Sequence, residues 1–193
     1  MKTIIKTNYF SRVFLYGLIF SLCIFPLSVK ARQTSPKKDL CIVIDPGHGG
    51  IQSGTQRGTV EEKTLNLKIA QYLKEALEKY KGVTVSLTRD GDYDVSLTDR
   101  TQYSVDKNAD LMVSIHNNAT GDCAAYDNGC TVLAAKDGYK QEFADEEQKL
   151  ACNILNELSA LGIENQGILL RDSEANEKYE NGELADYYAI IRG

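Results

Sequence analysis

Three observations predict an α/β protein built on a mostly parallel sheet. Four short apolar runs occupy residues 40–44, 83–88, 111–115 and 131–135. A segment of helical period separates the first two, and another follows the fourth. The apolar runs are continuous rather than alternating, which marks strands covered on both faces. Alternation of strand and helix favours parallel crossovers. The expected fold is a single mostly parallel twisted sheet flanked by helices.

The elements follow in order along the chain. Lys2 and Lys6 precede an apolar stretch over residues 13–29 that ends in Val29-Lys30-Ala31. That is the layout of a secretory signal spanning residues 1–31 and cleaved after Ala31. The alternative is a membrane anchor, since the stretch is at the short end of a bilayer span. Export places the protein in the periplasm, the cell wall or the extracellular space, with no stable membrane insertion once the signal is removed. Residues 32–38 read as a polar linker, and a single domain runs over residues 39–193. After the first strand, Leu65, Ile69, Leu73, Ala76, Leu77 and Tyr80 recur at helical spacing and predict a helix over 61–80. Phe143, Leu150, Ile154, Leu155 and Leu158 predict a second over 141–161, ending near Gly162. Residues 185–193 are partly apolar and stop without a polar tail, so the segment is expected either to be docked or to continue into a further element.

Composition narrows the function. At 42% hydrophobic and 25% charged residues the chain can build an ordinary core, which argues against disorder. A formal net charge of −5 argues against a nucleic-acid partner, which needs a basic surface. Export permits disulfides. Cys123 and Cys130 flank a turn-forming stretch and are the expected pair, whereas Cys41 and Cys152 are expected as buried thiols.

Only two histidines occur, and each closes an apolar run: His48 in Ile44-Asp-Pro-Gly-His-Gly-Gly50 and His116 in Ser114-Ile-His-Asn-Asn-Ala119. Ligands of open α/β sheets bind beyond the carboxyl ends of strands, so two imidazoles there can hold one ion. Catalytic zinc sites often add a carboxylate and leave one position open. Glu62 is the better candidate and Glu61 the alternative, because the loop over 49–58 returns the helix start towards His48. The dipole also favours acids in any first helical turn, so charge position alone does not separate the two.

The chain resembles the zinc-dependent N-acetylmuramoyl-L-alanine amidases of the amidase-3 family. The matching residues are Ile44-Asp-Pro-Gly-His-Gly-Gly50, Glu62-Lys-Thr-Leu-Asn-Leu67, Leu87-Thr-Arg89 with Leu97 and Arg100, Ala109-Asp110, and Ser114-Ile-His-Asn-Asn-Ala119. The resemblance implies Zn2+ held by His48, Glu62 and His116, which selects Glu62 over Glu61. It implies peptidoglycan as substrate and hydrolysis of the amide between N-acetylmuramic acid and the L-alanine of the stem peptide. Asn118 is a candidate to orient a bound carbonyl or a water. Arg89 and Arg100 are read as structural ion pairs with acids such as Asp90, Asp94 and Asp99, the alternative being contact with substrate carboxylates.

Amide hydrolysis also needs a group that takes a proton from water and delivers one to the leaving amine. The family resemblance implies a glutamate on a late strand, after an apolar run absent from this sequence. Glu164, Glu174, Glu177, Glu180 and Glu183 lie in polar segments and are not convincing as that base. The general base is therefore expected beyond Gly193, together with a C-terminal strand. The alternatives are a relative that binds peptidoglycan without turnover, or another exported zinc hydrolase such as a peptidase or deacetylase. An activator protein is left unassigned.

Overall fold

The computed structural model describes residues 39–117, 129–138 and 140–192. The expected signal segment and linker, Asn118 and Cys123 lie outside these residues.

Strand β1 (Leu40–Pro46) is central. It pairs in parallel with β4 (Val83–Leu87) on one side and with β5 (Leu111–Ile115) on the other. Between β1 and β4 run a two-residue antiparallel pair, β2 (Gln56–Arg57) and β3 (Val60–Glu61), and helix α1 (Glu62–Leu77). Helix α2 (Leu97–Asp106) links β4 to β5. The sheet order β4-β1-β5 means that the chain leaves β1 for one edge and then crosses back to the other. That reversal opens a crevice between the carboxyl ends of β1 and β5.

Burial explains why β1 takes the centre. Val43 and Ile44 are fully buried and Ile42 nearly so, as a continuous apolar run requires when both strand edges and both faces are covered. Ile42, Ile44, Val85 and Ala70 of α1 form the core, with Leu73, Leu77, Leu87, Leu111 and Ile115 packed around it.

Strand β6 (Cys130–Leu133), helix α3 (Gln141–Ala160) and β7 (Asn165–Leu169) form a second parallel crossover unit. Among the described residues β6 and β7 pair with each other and not with β5. The α/β class and the parallel sheet agree with expectation, and among the described residues the strands fall into separate ladders. Apolar patterning defines a strand and its faces; it carries no information about which neighbouring edge the strand joins. The terminal segment is docked: Ala185 and Asp186 are buried, the Ser173 amide donates to the Ala185 carbonyl, and a short helix α4 (Ala189–Arg192) follows.

Two expectations about thiols need correction. Cys152 is exposed and Cys41 only half-buried, and both are free thiols, as is Cys130. The buried stripe of α3 is Ala144, Ala151 and Leu155, so Cys152, one step round the helix, turns outward.

Candidate metal centre

Glu62 opens α1 with its backbone amide already satisfied. The hairpin β2–β3 folds the preceding loop back, so the Glu62 and Lys63 amides donate to the Thr55 and Ser53 carbonyls at 2.9 and 3.0 Å. These are two of the donors that a helix start leaves unpaired, and here backbone rather than a capping side chain takes them. The same fold-back carries the carboxylate to the crevice.

There Glu62 meets both histidines. Its Oε2 lies 3.3 Å from His48 Nε2, and its Oε1 lies 3.0 Å from His116 Nδ1. One ligand atom from each of the three residues falls within 4.8 Å of the others. Two donors on one tetrahedral zinc ion, at Zn–N or Zn–O of about 2.0–2.1 Å, sit about 3.3 Å apart. The two carboxylate–imidazole separations are close to that value and the trio spans up to 4.8 Å, so these donors are a candidate set for one ion. Among the described residues no further carboxylate, histidine or cysteine joins the group. The side chain of Glu62 is 3% exposed, but those of His48 and His116 are 27% and 45% exposed, so the centre opens to solvent on the imidazole side.

The protonation states also suit a cation. Burial pushes the Glu62 carboxyl up, but hydrogen bonds from the Thr55 and Asn117 amides, with His48 and His116 alongside, outweigh it and hold the pKa at about 2. Burial lowers the His48 pKa, and the neighbouring His116 and Arg100 add to that against the pull of Glu62. A carboxylate beside a neutral imidazole is what a metal requires of its ligands.

Glycines make the space. A Cβ on Gly47 would lie 2.3 Å from His116 Nε2, and His48 itself sits at a φ of 61°, in the left-handed region that non-glycine residues rarely adopt.

Arg89 and Arg100 hold the histidine loop rather than the acids expected for them. Arg100 pairs with buried Asp45 at 2.6 Å and donates to the Pro46 and His48 carbonyls. Arg89 donates to the carbonyls of Pro46, Gly47, Lys63 and Gly91. Asp90, Asp94 and Asp99 instead accept from the Tyr93 hydroxyl, the Ile51 amide and the Ser96 hydroxyl respectively. Both arginines are buried and point into the scaffold, which also removes them from contact with a substrate. Asp45 further accepts from Thr88 at the end of β4 and Ser114 on β5, so one carboxylate ties all three strand ends together.

Asn66 was not legible as a site residue. It lies one helical turn after Glu62 and is fully buried beside it. Its spacing of four from Glu62 and its place in the Glu62–Leu67 stretch that carries the family resemblance are the signals that could have pointed to it. The late glutamates lie elsewhere: Glu174 pairs with Arg171 and Glu177 with Arg192.

A parallel α/β sheet with two histidines and a glutamate gathered at its switch point defines an α/β protein with a candidate mononuclear metal centre. Residues 42–188 match the amidase-3 family, described as N-acetylmuramoyl-L-alanine amidase, and the chain belongs to that family. It is 42% identical over 114 residues to the probable cell wall amidase LytH of Staphylococcus saprophyticus subsp. saprophyticus, covering 58% of this chain and 36% of that protein. Among solved structures, Cwp6 from Clostridium difficile is 33% identical with a TM-score of 0.65, over 82% of this chain and 23% of that one. The catalytic domain of CwlV, an N-acetylmuramoyl-L-alanine amidase from Bacillus (Paenibacillus) polymyxa var. colistinus, is 27% identical with a TM-score of 0.59. That match covers 79% of this chain and 73% of the other. The chain spans about a third of the length of the curated relatives it matches, 36% and 32% for the first two.

Proposed function

We propose that this chain is a zinc-dependent peptidoglycan amidase that hydrolyses the amide joining N-acetylmuramic acid to the L-alanine of the stem peptide. The observation that carries the reading is the convergence of His48, Glu62 and His116 at the β1–β5 switch point, within the residues that match the family. His48, Glu62 and His116 are the proposed ligands. A zinc ion there supplies Lewis acidity, which makes a water more acidic and polarises an amide carbonyl. The chain's part is to keep the carboxylate ionised, the His48 imidazole neutral and the imidazole side open. Amide cleavage also needs a proton-handling group, and none of the described residues is assigned that role.

Relatives described as cell wall amidases suggest a cell wall or extracellular location. Export directed by residues 1–31 is part of the proposal. Among the described residues no helix is long and apolar enough to cross a membrane.

The test is release of free alanine amino groups from purified peptidoglycan by the zinc-loaded full chain. Release abolished by a chelator and by His116→Ala supports the proposal. No release, with one zinc bound per chain, overturns it; release of acetate instead identifies a deacetylase. A second reading, a family member that binds peptidoglycan without turnover, is favoured by the lack of a further carboxylate near the trio among the described residues. It predicts retention on peptidoglycan without amine release.

A further inference from the structure

We infer that Asn66 is a positioning residue that holds the two histidine-bearing strand ends and Glu62 in register for one metal ion. The inference rests on the metal reading proposed above. Asn66 Nδ2 donates at 3.0 Å to the carbonyl of Gly47, the residue before His48. Its Oδ1 accepts at 2.8 Å from Nδ2 of Asn117, the residue after His116. The same amide nitrogen lies 3.5 Å from Glu62 Oε1. One side chain thus touches the immediate neighbour of each imidazole and the carboxylate between them.

The orientation of this amide is determined by its surroundings. A carbonyl and a carboxylate face Nδ2, and both only accept, so a flipped amide would oppose oxygen to oxygen at Gly47 and at Glu62. The bonds to Gly47 and Asn117 are short and carry the alignment; the approach to Glu62 is at the limit of a hydrogen bond.

Helix stability does not account for an asparagine here. Asn is a poor helix former, and Asn66 is fully buried on a helix face whose next buried position, Ala70, is in the apolar core. An apolar side chain would suit both propensity and burial better. A residue that breaks local preference while all its polar atoms are satisfied is serving the arrangement it bonds. Glu62 has its own donors in the Thr55 and Asn117 amides. What Asn66 adds is the cross-link between the residue before His48 and the residue after His116, which lie just beyond the ends of different strands.

The test is the zinc dissociation constant of the full chain, measured by competition with a chromophoric chelator, for wild type, Asn66→Ala and Asn117→Ala. Groups that orient metal ligands contribute about 10- to 100-fold to affinity. Asn66→Ala is expected to raise the Kd within that range while keeping the wild-type far-UV circular dichroism. Asn117→Ala removes the partner of Asn66 Oδ1 but keeps the amide that serves Glu62, and it is expected to raise the Kd several-fold. In the double variant the two losses are expected to add to less than their sum, because both remove one contact. A purely structural role would lower the melting temperature of the metal-free chain and leave the Kd of a folded variant unchanged; that result overturns the inference. If Asn66→Ala does not fold, an unchanged Kd in Asn117→Ala overturns it equally. Wild-type chain that binds no zinc would instead overturn the metal reading itself, so the two failures are distinguishable.

Discussion

Glu62 accepts hydrogen bonds from the amides of Thr55 and Asn117 while facing two imidazoles, and these contacts make it sensitive to acid. Its pKa is about 2 in the folded metal-free chain against an ordinary 4.5. A depressed carboxyl pKa contributes stability that is fully present above the unfolded value and is lost as pH falls through the folded one. That contribution is on the order of 3 kcal/mol. Urea denaturation of the metal-free chain at a series of pH values is expected to show it fade between pH 4.5 and about 2, and Glu62→Gln to flatten that slope. Gly47 gives a second prediction. The methyl of Gly47→Ala would overlap the His116 ring at 2.3 Å, so the ring must move. Zinc affinity is expected to fall about tenfold or more, a change the chelator competition reads directly. The histidines were legible because the sequence has only two, whereas Glu62 was separated from Glu61 by the family resemblance alone. Asn66 was not legible, because asparagine is common and its role is visible only once Gly47 and Asn117 are beside it.

Secondary-structure elements place these residues through their ends rather than their middles. β5 has the predicted bounds, and β1 extends two residues beyond its apolar run to include Asp45 and Pro46. Helix α2 was missed, although Ser96-Leu-Thr-Asp99 holds its start signal: the Ser96 hydroxyl accepts from the Asp99 amide and donates to the Asp99 carboxylate. Few apolar residues lie along α2, and Leu97 and Val105 are exposed, so its period is faint. Its anchor is instead polar, the buried Arg100–Asp45 pair. Removing one member of such a pair leaves an uncompensated charge and costs about 3–5 kcal/mol. Arg100→Met is expected to lower stability to urea by that amount and to weaken zinc binding as well, since the Pro46 and His48 carbonyls lose a donor. On α1 the predicted apolar stripe is only partly inward. Leu65 and Ile69 are exposed, while Glu62, Asn66 and Ala70 form the buried line, which faces the site at Glu62 and Asn66 and enters the core at Ala70.

For the whole molecule, stability concentrates in β1, which is central to its sheet and carries the histidine loop at its end. Ile44 is fully buried in the core, and truncating such a side chain costs about 2–5 kcal/mol. Ile44→Ala is expected to lower the urea midpoint accordingly, and zinc to restore part of the loss, because a ligand that binds only the folded state adds stability by mass action. Urea denaturation with and without zinc checks both. The sequence by itself determined the α/β class, the main strands, the two long helices and the two histidines of the candidate centre, because hydrophobic period and scarce side-chain chemistry are local properties; its carboxylate was narrowed to Glu61 or Glu62 and selected by the family resemblance. Only the tertiary structure decided that β1 lies between β4 and β5, that β6 and β7 pair apart from them, and that Arg89, Arg100 and Asn66 serve the histidine loop. Those outcomes depend on which strand edges meet and on which buried carbonyls need a donor. Residues far apart in the chain settle both together, and no window of sequence contains them.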